Sequence, residues 1–152
     1  MDIRNSILAL TTDREVEASL GRWAHSAPRM EPPRICRSFA QLLLELERAP
    51  APLVVVDLDP QPENMLGELD PVISKFERTR FIALISELET EVVMTAMRIG
   101  MRHVQVKETM EEELPGVLRR LSLNGSARAN CSTIVTLLSA GGGGGAPTLA
   151  IN

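Results

Sequence analysis

Five short, mostly apolar runs recur along the chain, and each is followed by a stretch with helical spacing. Ser6–Leu10 is the first run. Thr12-Asp-Arg-Glu15 then has the form of a capping box, so a helix is predicted behind it, with Val16, Leu20, Trp23 and Ala27 inward and Pro28 as its stop. Ile35–Arg37 is a weaker strand. Ser38 and Gln41 form a second capping box for a helix whose stripe is Phe39, Leu42, Leu43 and Leu46. Leu53–Val56 is continuous and β-branched, the pattern of a strand buried on both faces. Asp70-Pro71 reads as the cap and first turn of the next helix, with Val72, Ile73 and Phe76 inward. Phe81–Ile85 is a further buried strand, and Val92, Val93, Ala96 and Met97 mark a helix that stops at Gly100. His103–Val106 alternates, as a strand near a sheet edge does. The last helix has Thr109 and Glu112 as its capping box and Met110, Leu114, Val117, Leu118 and Leu121 on one face. Pro115 lies inside it, so that helix either kinks or starts regularly near Leu114.

Strand–helix alternation with buried strands predicts an α/β fold: a (βα)5 doubly wound parallel sheet in the order 2-1-3-4-5, flavodoxin/CheY-like. Composition sets the boundaries. Five of the ten glycines form one block, Gly141–Gly145, and the polar stretch 124–130 precedes the change in character. The predicted organisation is a body over 1–123, a linker over 124–130 and a distinct tail over 131–152. With 152 residues, 44% hydrophobic and 24% charged, the chain can bury a core of ordinary size. A net charge of -4 argues against a nucleic-acid module, and three Phe, one Trp and no Tyr argue against a stacking platform for single strands. No apolar run of membrane-spanning length occurs, and the N-terminus lacks the regions of a signal peptide, so no membrane insertion is expected. Cys36 and Cys131 have no metal-ligand spacing, which fits a reduced, cytoplasmic protein.

In a sheet of this order, sites form beyond the carboxyl ends of the strands. The sequence places Thr11, Thr12 and Asp13 there after strand 1, Asp57 and Asp59 after strand 3, Ser86 after strand 4 and Lys107 after strand 5. A carboxylate facing a lysine across that crevice is either a phosphoryl acceptor or a plain ion pair. Leu53–Pro60 and His103–Lys107 resemble strands 3 and 5 of the CheY-like receiver domains of two-component systems, and the likeness extends over residues 5–123. The resemblance makes Asp57 the equivalent of the phospho-acceptor aspartate and Lys107 the equivalent of its partner lysine. In that family the aspartate attacks a phosphoryl donor, Mg2+ neutralises the oxygens and the lysine pairs with the charge.

The departures from that pattern define the expectation for this chain. Thr11 and Thr12 stand where receivers carry an acidic pair, which leaves Thr12, Asp13 and Asp59 as vestigial metal-site positions. Ile85 stands at the end of strand 4 in place of the usual Thr or Ser, Glu108 follows the lysine in place of proline, and Val104 replaces the aromatic switch. The expected site is therefore a one-to-one Asp57–Lys107 ion pair with no metal and no cofactor. Mg2+ enters only under the alternative, a phosphorylatable response-regulator receiver with Asp57 as acceptor.

The tail has the local order of a P-loop: an apolar run from Thr133, glycines, then a helix start. It resembles the deviant Walker A motif of MinD/ParA-type ATPases. On that alignment Gly141 and Ala146 replace its two lysines, Pro147 replaces the Mg2+-binding hydroxyl, and Thr148 is the hydroxyl that remains. Gly141, Gly142, Gly143, Gly144 and Gly145 then form either a degenerate P-loop, at the truncated start of such a domain, or a flexible linker. A receiver-like body before a degraded P-loop resembles the layout of the CpaE/TadZ proteins of Flp pilus assembly. That resemblance implies a non-enzymatic interaction module, cytoplasmic, placed at a cell pole and bound to proteins of a pilus or secretion assembly. Met94, Met97, Met101 and Met110 either fill core gaps or form a sticky face. A homodimer is expected through the fourth helix, fifth strand and fifth helix, on an apolar surplus of Met94, Met101 and Val104.

Overall fold

The structure, a computed structural model, describes residues 6–27 and 30–123. The linker 124–130 and the tail 131–152, with Cys131, the glycine block and Thr148, lie outside the described residues. The elements alternate: β1 (Ile7–Leu10), α1 (Arg14–Ser26), β2 (Arg34–Cys36), α2 (Phe39–Arg48), β3 (Leu53–Asp57), α3 (Pro62–Lys75), β4 (Arg80–Ile85), α4 (Thr90–Ile99), β5 (His103–Val106) and α5 (Met110–Leu123). A 3-10 turn, Lys107–Thr109, joins β5 to α5. All neighbouring strands pair in parallel in the order β2-β1-β3-β4-β5, as the alternation predicts.

Strand alternation divides the core into two layers. Ile7, Ala9, Leu53, Val55, Ile82 and Leu84 face α1 and α5. Leu8, Val54, Val56, Phe81, Ala83 and Val104 face α2, α3 and α4. β3 and β4 lie between neighbours on both sides, and Leu53–Asp57 is buried at every position.

Local chemistry departs from the sequence reading at four places. The cap of α1 is Asp13, whose carboxylate accepts from the Glu15 amide, while Thr12 is exposed. α3 does not begin at Asp70-Pro71. It starts at Pro62, where the missing N–H costs nothing, and runs through Pro71. Pro71 leaves the Gly67 carbonyl without its helix donor, but both residues face solvent, so water can take that place. α5 is helical from Met110 and contains Pro115, which excludes a start near Leu114. The Thr109 hydroxyl accepts from the Gln105 amide and lies within 3.5 Å of the Val106 carbonyl, bonding back into the β5–α5 corner. Finally, Met101 and Val104 are 2% and 1% exposed, because both pack into the core layer under α2, α3 and α4. The apolar surplus expected on the α4–β5–α5 face therefore reduces to Met94, which is 65% exposed.

Candidate functional site

The carboxyl ends of β1, β3 and β5 converge on one crevice, and the local structure explains how each side chain gets there. Asp57 is the last residue of β3. Its neighbour strand β1 ends one residue before Thr11, so the Thr11 hydroxyl reaches across and donates to Asp57 Oδ2 at 2.9 Å. Asp57 Oδ1 accepts from Lys107 Nζ at 2.8 Å and from the Asp59 amide at 3.1 Å. That amide bond folds the loop after β3 back on itself. It brings Asp59 Oδ2 to 3.0 Å from the same ammonium, where the Ser86 hydroxyl also donates to it. Asp13 uses Oδ1 to cap α1 and holds Oδ2 at 3.7 Å from Lys107 Nζ. Its amide donates to Thr11 Oγ1, which completes the link between the two loops.

The expected Asp57–Lys107 pair is present, but the one-to-one charge balance is corrected. Three carboxylates surround one ammonium. Residue spacing hides this, because Asp13 reaches the crevice while serving as a helix cap and Asp59 reaches it through a turn closed by its own amide. Thr11 was placed at the crevice by the sequence, but its hydrogen bond to Asp57 was not foreseen. The signal was the strand order itself, which puts the end of β1 beside the end of β3. Thr12, by contrast, is outside the cluster.

Electrostatics follow from these contacts. Burial pushes the Asp59 carboxyl up, but the hydrogen bonds from Ser86 and Lys107 and the lysine charge outweigh it and hold the group below its ordinary value. Burial likewise pulls the Lys107 ammonium down, and the bonds and charges of Asp57 and Asp59 outweigh it and hold the group above its ordinary value. Lys107 is thus a firmly protonated cation at any physiological pH.

This arrangement decides what the site can do. Asp57 is only 7% exposed. Of its oxygens, Oδ1 accepts two hydrogen bonds and Oδ2 accepts one. A hard cation takes several oxygen ligands around itself, and in this structure the three carboxylates are gathered on the Lys107 ammonium. Among the described residues no cluster of three or more His, Cys, Asp or Glu is placed to hold a metal ion. Likewise no helix among them is long and apolar enough to cross a membrane.

No family model matches the chain, and no curated protein matches it. Solved structures do. A CheY-like protein, TadZ, from Pseudomonas aeruginosa superposes with a TM-score of 0.65 at 22% identity, over 77% of this chain and 98% of that one. A pilus assembly-related protein from Burkholderia pseudomallei gives 0.64 at 18% identity, over 81% and 92%. The receiver domain of RcsB from Salmonella enterica, solved with the phosphomimetic beryllofluoride, gives 0.66 at 13% identity, over 78% and 88%. At these identities the likeness is one of architecture, and the architecture is that of the CheY-like receiver domain.

Proposed function

We propose that this chain is a receiver-like interaction module of the CpaE/TadZ type, acting in pilus assembly through protein contacts and without phosphorylation of Asp57. One observation carries the reading: Asp57 is closed in by Thr11, Lys107 and the Asp59 amide, with two more carboxylates holding the lysine in place. A crevice held this way is a structural joint between loops. The likeness to TadZ and to a pilus assembly-related protein supports the biological setting. Under this reading the module is non-enzymatic, works in the cytoplasm near a cell pole, and precedes a segment with a degenerate P-loop. Homodimerisation through α4, β5 and α5 belongs to the proposal on the strength of Met94.

Incubation with acetyl phosphate and Mg2+, followed by intact mass, tests it. The expected result is no phosphoryl adduct and no beryllofluoride complex. A stoichiometric adduct that disappears in Asp57→Asn would replace this reading by the alternative, a phospho-acceptor receiver.

A further inference from the structure

β5 carries a buried polar chain that the crevice does not account for. His103 and Gln105 lie two residues apart, so their side chains leave the strand on the same face, under α5. Both are buried, His103 at 2% exposure. The Gln105 amide nitrogen donates to the Val106 carbonyl and to Thr109 Oγ1, each at 3.1 Å. A carbonyl can only accept, so this fixes the orientation of the amide and turns Gln105 Oε1 toward the ring. Oε1 lies 3.2 Å from His103 Nε2. The ring nitrogen facing it must therefore carry the proton, and Nδ1 is bare. Nδ1 is also buried with no partner among the described residues.

That geometry has a consequence for acid. A second proton has to go on Nδ1, where it would be a buried donor without an acceptor on a ring that has just become charged. Burial already holds the ring below the ordinary histidine value. The charged groups facing it are Glu113 and Arg120, both on α5, with opposite effects; on β4 the residue paired with it is Ile82. The segment tied to this chain is the Lys107–Thr109 turn, whose first residue is the ammonium of the crevice.

We propose that His103 is an acid-sensitive latch on the β5–α5 corner. The neutral ring seats Gln105, and Gln105 clamps the turn that aims Lys107 at Asp57 and Asp59. Protonation is accommodated only by lifting the start of α5 from β5, which loosens the turn and the lysine with it.

The test is an NMR titration of the full chain from pH 7.5 to 4.5. At pH 7.5 the ring nitrogens are expected to show the Nε2–H tautomer. On acidification the ring and the amides of residues 105–114 should titrate together, with a midpoint below the ordinary 6.5. Where one proton drives opening, hydrogen-exchange protection of those amides should fall about tenfold per pH unit beyond the intrinsic rate. His103→Phe should abolish the transition, and His25→Ala, on an exposed part of α1, should leave it. An Nδ1–H tautomer, a ring that titrates without the 105–114 amides, no titration down to pH 4.5, or the same transition in His103→Phe would each overturn the proposal. The tautomer and the coincidence of ring and amide titrations are read on the wild-type chain, so they decide the matter even if His103→Phe does not fold.

Discussion

Replacing Lys107 by Met should destabilise the fold far more than replacing Asp57 by Asn. In Lys107→Met three carboxylates lose their shared cation. Asp57, with its side chain 6% exposed, suffers most, and breaking a buried pair by removing one member costs about 3–5 kcal/mol. Two features place the cost at the low end. Asp57 keeps the Thr11 hydroxyl and the Asp59 amide, and Asp13 is 38% exposed and regains water. The expected loss is about 3 kcal/mol. In Asp57→Asn the lysine keeps Asp59 at 3.0 Å and Asp13 at 3.7 Å, so no charge is stranded. The loss is then that of misplaced hydrogen bonds, about 1 kcal/mol. Urea unfolding at pH 7 resolves the two: with a slope of roughly 2 kcal/mol per M, the midpoints should fall by roughly 1.5 M and 0.5 M. The gap between wild type and Lys107→Met should also narrow as pH falls and Asp59 takes up its proton, because the lysine then has one fewer carboxylate to neutralise. Equal losses, or a larger one for Asp57→Asn, would mean that Asp57 and Lys107 form an isolated pair and that the other two carboxylates contribute nothing.

Thr11→Val keeps the shape of the side chain but removes the donor to Asp57 Oδ2, and thermal or urea unfolding should show a loss of about 2 kcal/mol. Gly100 ends α4 at φ +110, and a Cβ there would stand 3.0 Å from Ile73 Cγ2, so Gly100→Ala should cost about 1–2 kcal/mol in the same assay, with unaltered crevice resonances. The depressed Asp59 carboxyl stabilises the fold above its ordinary 3.8 and loses that contribution as pH falls through its folded value. Asp59→Asn should therefore differ from wild type at pH 7 and converge with it near pH 2. The raised Lys107 ammonium acts at the other end: its contribution is full below the ordinary 10.5 and is lost as pH rises through its folded value, which unfolding midpoints of wild type against Lys107→Met between pH 9 and 12 would show.

The architecture was legible wherever one local signal sufficed. Leu53–Val56 and Phe81–Ile85 are unbroken apolar runs of strand length, the pattern of a strand buried on both faces. Helix starts were less secure, since Asp70-Pro71 carries a good start signal in the middle of α3, and the exposed face of that helix tolerates it. Burial of Met101 and Val104 was not legible, because it depends on which sheet layer the β4–β5 connection enters. In the crevice, Asp57 and Lys107 followed from strand ends. Asp13 and Asp59 were visible as residues but not as members of one charge cluster, because their arrival depends on side-chain and amide bonds inside loops. Gln105 and His103 looked like ordinary alternating strand residues, and only their shared burial reveals a chain.

The sheet's outer margin at β2 bears on how copies of this protein can meet. β2 is three residues long, and its Arg34 reaches over α2, donating to the Glu45 carboxylate at 2.8 Å and to the Ala49 carbonyl at 2.9 Å. The guanidinium thereby supplies a donor to the end of a helix and holds a charged, branched side chain at the margin of the sheet. A three-residue ladder offers an incoming strand few bonds. Growth of the sheet from molecule to molecule is disfavoured at that side.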